Sequence, residues 1–271
     1  MSISIPPHLQ SEPWSSILWA DVQQYISLLN RHAPPQPKPF VVDVGANIGF
    51  AAIVFHLAYH ADVLSIEAIP QTYLSLQKNC APYPRIATIQ TAVASKEGSV
   101  TLYDYPLARG LGGLDEPRFQ IWLDLLRGGW QKQSSVSLLV RPIHWIGMIF
   151  WALFAVLIVV FRKPITVSTR TLSQILSDHP DRTIDVLKID IEGHELSALH
   201  GLNPADWSRV RTLIIELHPE HKDKILKLLQ ENQFSVLAEE YGQVYSHNTP
   251  SVLLAQNLTL ASVHTHTEGS Y

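Results

Sequence analysis

From Val41 to Val93, and again from Leu172 to Asn232, the chain repeats one pattern: a short apolar run, a turn, then a stretch with helical spacing. The runs are VVDVG, VLSIEA, ATIQTAV, VLKID and TLIIELH. The helical stretches cover about 48–59, 71–79, 172–177, a segment from Gly193, and about 220–232. Such alternation is the mark of βαβ units and a parallel sheet. The fold class expected is therefore α/β, a doubly wound, Rossmann-like sheet of five core strands. SVTLYD is expected to add a short strand, and FSVLAEE with PSVLLAQ to form an antiparallel edge. Ahead of the first run lie an amphipathic helix candidate over 15–29 and the linker RHAPPQPKPF, whose prolines cannot continue a helix. The chain thus divides into a leading segment, 1–40, and a main domain, 41–271, with an interruption at 106–165.

That interruption falls between the third and fourth core strands and contains WIGMIFWALFAVLIVVF, 17 residues from Trp145 to Phe161 without a charge. A spanning helix needs about 17–25 apolar residues, and Arg141, Arg162 and Lys163 flank the run as interfacial anchors would. A single crossing would leave strands one to three and strands four and five on opposite sides of the bilayer, although they must share one sheet. A pair of crossings fares no better, because the preceding segment carries Arg118, Asp124, Arg127 and Lys132, and each charge at the bilayer centre costs about 2.5–3.5 kcal/mol. The expectation is a monotopic element: residues 117–163 dip into one leaflet, with Trp122, Trp130, Trp145 and Trp151 near the headgroups. The alternatives are a helix buried in the domain or in a dimer interface. A lid over a lipid-like acceptor is compatible with any of these.

A content of 46% hydrophobic and 16% charged residues supports a real core. A net charge of −4 and a pI near 6.3 give no electrostatic reason to bind nucleic acid. Cys80 is the single cysteine, which rules out an intrachain disulfide and fits a reducing compartment. The N-terminus shows no signal-peptide pattern. The location expected is the cytoplasmic side of a membrane, or the cytoplasm if the insertion is buried. His144, His194, His200, His218 and His221 are scattered without zinc spacing, so no metal centre is expected.

DVGANIG places Asp43 near the end of the first strand and Gly45 and Gly49 in the turn to a helix, where backbone can approach a ligand and free N–H groups are on offer. The spacing is GxxxG with Asn47 in the middle, not the GxGxxG of dinucleotide enzymes. A carboxylate there repels a diphosphate and suits the positive amino group of a methionine moiety, so S-adenosylmethionine fits better than NAD. Glu67, ending the second strand, can accept from both hydroxyls of a ribose. Asp190, in LKIDIEGHE, is expected at the carboxyl end of the fourth core strand beside the first, at the switch point of the sheet. Glu195 reads as a helix cap.

These motifs in this order, VVDVGANIGF, IEAIPQTYLSLQKN, TLSQIL followed by IDVLKIDIEGHELSALHG, and IIELH, resemble the FkbM-type family of S-adenosylmethionine-dependent methyltransferases over about 40–104 and 167–255. The resemblance implies a class I methyltransferase fold and usually O-methylation. It matches Asp43, Gly45, Asn47, Gly49, Glu67 and Ala68 to the cofactor motifs and Asp190 with Glu192 to the family's acidic signature. It also sets Ala92 where an adenine ring would pack. The acceptor expected is a small molecule, a glycan or a lipid-like molecule bearing a hydroxyl. His218, at the end of the fifth strand, is a candidate general base, or else a polar cap of its turn. Glu216 reads as a buried structural acid. Two other readings are an NAD-dependent oxidoreductase and an inactive membrane-surface binding protein of the same fold.

Overall fold

The computed structural model describes residues 4–11, 15–104, 160–241 and 250–261. They fall into two compact units, one drawn from Met1–Val100 and Val167–Tyr271, the other from Thr101–Thr166. Most of the 106–165 insertion, with the apolar run up to residue 159, lies outside the described residues.

The larger unit is built on seven strands: β1 (Phe40–Val44), β2 (Asp62–Glu67), β3 (Ile86–Gln90), β7 (Ile184–Ile189), β8 (Val210–Leu217), β9 (Phe234–Tyr241) and β10 (Ser251–Asn257). Their order is β3-β2-β1-β7-β8-β10-β9. The neighbours β3 to β8 are parallel, and β10 runs antiparallel to both β8 and β9. The expected antiparallel pair is present, but the last strand wedges between β8 and β9, so β9 alone forms the edge. The chain reverses its winding between β1 and β7, and ligands of open α/β sheets bind outside the carboxyl ends at such a point.

Both faces are covered, as the apolar strands require. Residues of β1 alternate between them: Val42 and Val44 join one core cluster, Val41 the other. Helices α1 (Ser15–His32), α2 (Phe50–Tyr59) and α3 (Pro70–Cys80) serve Val41's face. The opposite face takes α4 (Leu172–Leu176), α5 (Glu195–Leu199), α6 (Pro204–Trp207) and α7 (Lys222–Glu231). Local chemistry sets the starts of these helices. Pro70 opens α3, where its missing N–H costs nothing. Thr171 and Gln174 form a reciprocal capping box on α4, at 3.1 and 2.9 Å. Helix α1, which the sequence set ahead of the main domain, contributes Val22, Tyr25, Leu28 and Leu29 to the same core as Val41 and Val63.

A second sheet has the order β4-β6-β5, from β4 (Ala92–Val93), β5 (Gly98–Asp104) and β6 (Lys163–Arg170). SVTLYD is therefore the expected extra strand, whereas β6 was not anticipated, since its polar KPITVSTR carries no continuous apolar run. In the smaller unit the Arg162 guanidinium lies 4.6 Å from the ring centre of Tyr103, and Val160 and Phe161 are exposed.

Candidate active site

Strand register decides which polar groups meet. Asp43 of β1 stands directly opposite Lys188 of β7, and parallel partners point to the same face of a sheet. Both are buried, and the Lys188 ammonium lies 3.1 Å from Asp43 Oδ1, 3.4 Å from Asp190 Oδ2 and 3.0 Å from the Gly45 carbonyl oxygen, to which it donates. Burial alone would lower the lysine's pKa, but Asp43 and Asp190 outweigh it and hold the ammonium above its ordinary range. Asp190 follows β7 where expected, and its N–H donates to the Val44 carbonyl at 3.1 Å. Its carboxylate also accepts the Tyr25 hydroxyl from α1 at 3.1 Å. Burial, with the charge of Asp190, pushes that phenol well above its usual pKa, so it stays a donor.

The glycines of the turn have packing reasons. Gly45 has φ +76°, and a Cβ there would sit 1.8 Å from the Asp190 carbonyl oxygen. Gly49, at φ +96°, would meet Cys80 Sγ at 2.9 Å and Leu76 at 3.0 Å on α3. The turn thus lies against the start of the acidic loop and against a helix. Asn47 adopts φ +50°, and its N–H donates to Glu67 Oε2 at 3.0 Å, while Ile69 N–H donates to Oε1 at 2.8 Å. Burial raises the Glu67 pKa, and these N–H donors, with that of Ala68, oppose the rise. Ala92 is buried on β4, opposite Thr169 of β6.

Beyond Asp190 the acids crowd. Glu192 is exposed and takes φ +55°. Glu195 opens α5, whose N-cap His194 makes no side-chain cap bond; its carboxylate accepts instead from the preceding loop, Gly193 N–H at 2.9 Å and Ile191 N–H at 3.2 Å. His218 is fully buried, its Nε2 3.2 Å from Glu216 Oε2 and 3.7 Å from Glu195 Oε1. Burial first, then the charges of Asp190, Glu192 and Glu195, push the Glu216 carboxyl well above the carboxylate range, and it shares a hydrogen bond with Asp190.

Lys188 and Tyr25, which meet Asp43 and Asp190 here, are residues the sequence reading missed. Lysine inside a buried apolar strand was a usable signal, because such a charge needs a partner. Tyr25 had no comparable mark.

Glu195 gives a pH test. Burial pushes its carboxyl up to about 7 against the pull of its N–H donors. The folded chain therefore keeps this proton at pH values where the unfolded chain has released it, and its contribution to stability falls as pH rises between the ordinary glutamate range and about 7. Glu195→Gln, neutral throughout, is expected to gain on the wild type across that window, by about 1.4 kcal/mol for each pKa unit. Thermal unfolding from pH 4.5 to 7.5 checks it; a constant difference in Tm would contradict the buried-acid reading.

A cleft of about 260 Å³ also opens at the amino ends of β1 and β2, away from these groups, lined by residues that include Phe40, Asp62, Arg85 and Arg182. Arg85 and Arg182 both pair with Asp62 at 2.8 Å, and Arg182 covers the Phe40 ring. Its cations are already engaged in holding the strand starts together.

The model of the methyltransferase FkbM domain matches residues 43–236, from Asp43 of β1 into β9. The chain belongs to the FkbM methyltransferase family. It is a methyltransferase of the S-adenosylmethionine-dependent kind, and membership decides against the NAD oxidoreductase reading. The 31-O-demethyl-FK506 methyltransferase FkbM of Streptomyces tacrolimicus is 27% identical over 213 residues, covering 76% of either chain. The 2-O-methyltransferase NoeI of Sinorhizobium fredii (strain NBRC 101917 / NGR234) is 24% identical over 180 residues, covering 66% of this chain and 61% of its own. Among solved structures, M. capricolum TrmK in complex with S-adenosyl-homocysteine overlaps 88% of this chain and 68% of its own at 9% identity and a TM-score of 0.46. That overlap is loose, and the strand order carries the fold assignment. In this FkbM-family chain the predicted residues Asp43, Gly45, Asn47, Glu67 and Asp190 line one turn system, whereas Glu192 and His218 sit with Glu216 beside it.

Proposed function

We propose that this methyltransferase methylates a hydroxyl oxygen of an acceptor met at a membrane surface, holding S-adenosylmethionine over the DVGANIG turn. The donor supplies an electrophilic methyl on a sulfonium. The observation that carries the reading is the preorganised Glu67 carboxylate. A carboxylate has about four acceptor positions, and here three are used by the Asn47, Ile69 and Ala68 N–H groups. The remaining position suits a hydroxyl of a ribose, with the carboxylate held in advance at no further ordering cost. Asn47 Oδ1, buried without a hydrogen-bond partner among the described residues, is a further acceptor at the same turn. Asp43 acts through Lys188, fixing the Gly45 carbonyl and the Asp190 carboxylate, instead of meeting the methionine ammonium itself. Asp190 takes the acceptor's proton. Tyr25 keeps its hydroxyl on Asp190 and so positions it. The O-methyltransferase names among the relatives support oxygen as the atom methylated.

Glu67→Ala is expected to weaken S-adenosylhomocysteine binding by roughly ten- to a hundredfold, since bonds to a charged group contribute about 1.5–3 kcal/mol. Superimposable calorimetric titrations of variant and wild type would overturn the assignment.

The membrane part rests on the uncharged Trp145–Phe161 run and on Val160 and Phe161, which are 67% and 56% exposed at its end. Among the described residues no helix is long and apolar enough to cross a membrane. Apolar burial contributes about 25 cal/mol per Å², so half-burying a segment of this composition gives several kcal/mol. The protein is expected to float with phospholipid vesicles on a density gradient; wild-type protein left at the bottom would end this part of the reading.

A further inference from the structure

Beside the turn that serves the donor, two strand ends assemble a second set of groups. Glu192, after β7, and Glu216 and His218, at the end of β8, each present a ligand atom within 4.8 Å of the others. His218 and Glu195 are fully buried. Glu216 Oε2, 3.2 Å from His218 Nε2, and Glu195 Oε2, on the carboxylate whose other oxygen lies 3.7 Å from the same nitrogen, are buried and accept no hydrogen bond among the described residues. Oxygens buried without a donor are costly, and a native site explains them by an unseen water or ion. Lys188, the cation nearest Asp190, is already committed to Asp43, Asp190 and the Gly45 carbonyl.

The geometry points to a divalent cation bound by Glu192, Glu216 and His218. Two carboxylates with one imidazole are a mixed oxygen and nitrogen set that suits Mn²⁺, with water and substrate completing the coordination. The inference rests on methyl transfer at this site and names the acceptor more closely: a molecule with two adjacent oxygens, such as a vicinal diol, that chelate the ion. Bound there, the ion makes the acceptor hydroxyl more acidic. Its proton passes to Asp190, its oxygen forms the new bond to the methyl carbon, and the S–CH3 electron pair stays on the sulfur.

The test is a titration of Mn²⁺ alone into the full chain, with the free ion followed by electron paramagnetic resonance and neither donor nor acceptor present. One ion per chain is expected, with binding about ten- to a hundredfold weaker in Glu192→Gln, the size of loss that follows when even a ligand's supporting partner is removed. Glu192 is exposed, so this variant keeps its core. An unchanged S-adenosylhomocysteine titration in it separates failure here from failure of the donor reading. Mn²⁺ that stays free at millimolar concentration overturns the site. So does equal affinity in wild type, Glu192→Gln and His218→Asn, the sign of adventitious binding elsewhere.

Discussion

Lys188→Met is expected to lower folding stability by about 3–5 kcal/mol, because it leaves a buried carboxylate without its counter-ion. Asp43 is 0% exposed and lies 3.1 Å from the lysine. Methionine restores most of the volume, so the loss would report charge and not a cavity. Three groups lose their tie at once: Asp43, Asp190 and the Gly45 carbonyl. The double variant Asp43→Asn/Lys188→Met is expected to recover much of the loss, since an amide is far cheaper to bury than an unpaired carboxylate. Urea unfolding of the two variants decides it. A single variant within 1 kcal/mol of wild type, taken roughly as the range of ordinary surface changes, would mean that Asp43 is not ionised in the folded chain.

Asp190→Asn is expected to reduce turnover by roughly a hundred- to ten-thousandfold, the range for removing a positioned general base, while S-adenosylhomocysteine binds within a few-fold of wild type. Asparagine keeps the shape and an oxygen to accept the Tyr25 hydroxyl, now 3.1 Å from Oδ2. On the proposed reading, donor recognition lies with Glu67 and the turn, so the two measurements should part company. Turnover and binding that fell in parallel would make Asp190 a donor ligand and not the base. Tyr25→Phe offers a finer check: a positioning residue should shift the pH profile of kcat and leave donor affinity unchanged.

Several features were legible in the residues because they arise from local physics. Short continuous apolar runs marked β1, β2, β7 and β8, and 3.6-residue spacing marked the helices between them. Pro70 and the Thr171–Gln174 pair marked helix starts. Acidic residues at strand ends marked Glu67 and Asp190, which lie where the alternation placed them. The prolines of 34–39 suggested a boundary that packing does not respect, since α1 shares a core cluster with α2 and β1. Strand β6 escaped because its residues, KPITVSTR, alternate polar with small apolar groups at an exposed side sheet.

The sequence by itself determined the α/β class, the strand that carries each acid and the turn that suits a sulfonium donor, because these depend on spacing along one element. Tertiary structure alone decided that Asp43 answers Lys188, that Tyr25 of a helix 165 residues away reaches Asp190, and that Glu216 and His218 join Glu192. Those pairings depend on register between non-consecutive strands and on which face a helix covers. A shift of one residue in β7 against β1 would have turned Lys188 to the other face of the sheet, with the composition of either strand unchanged.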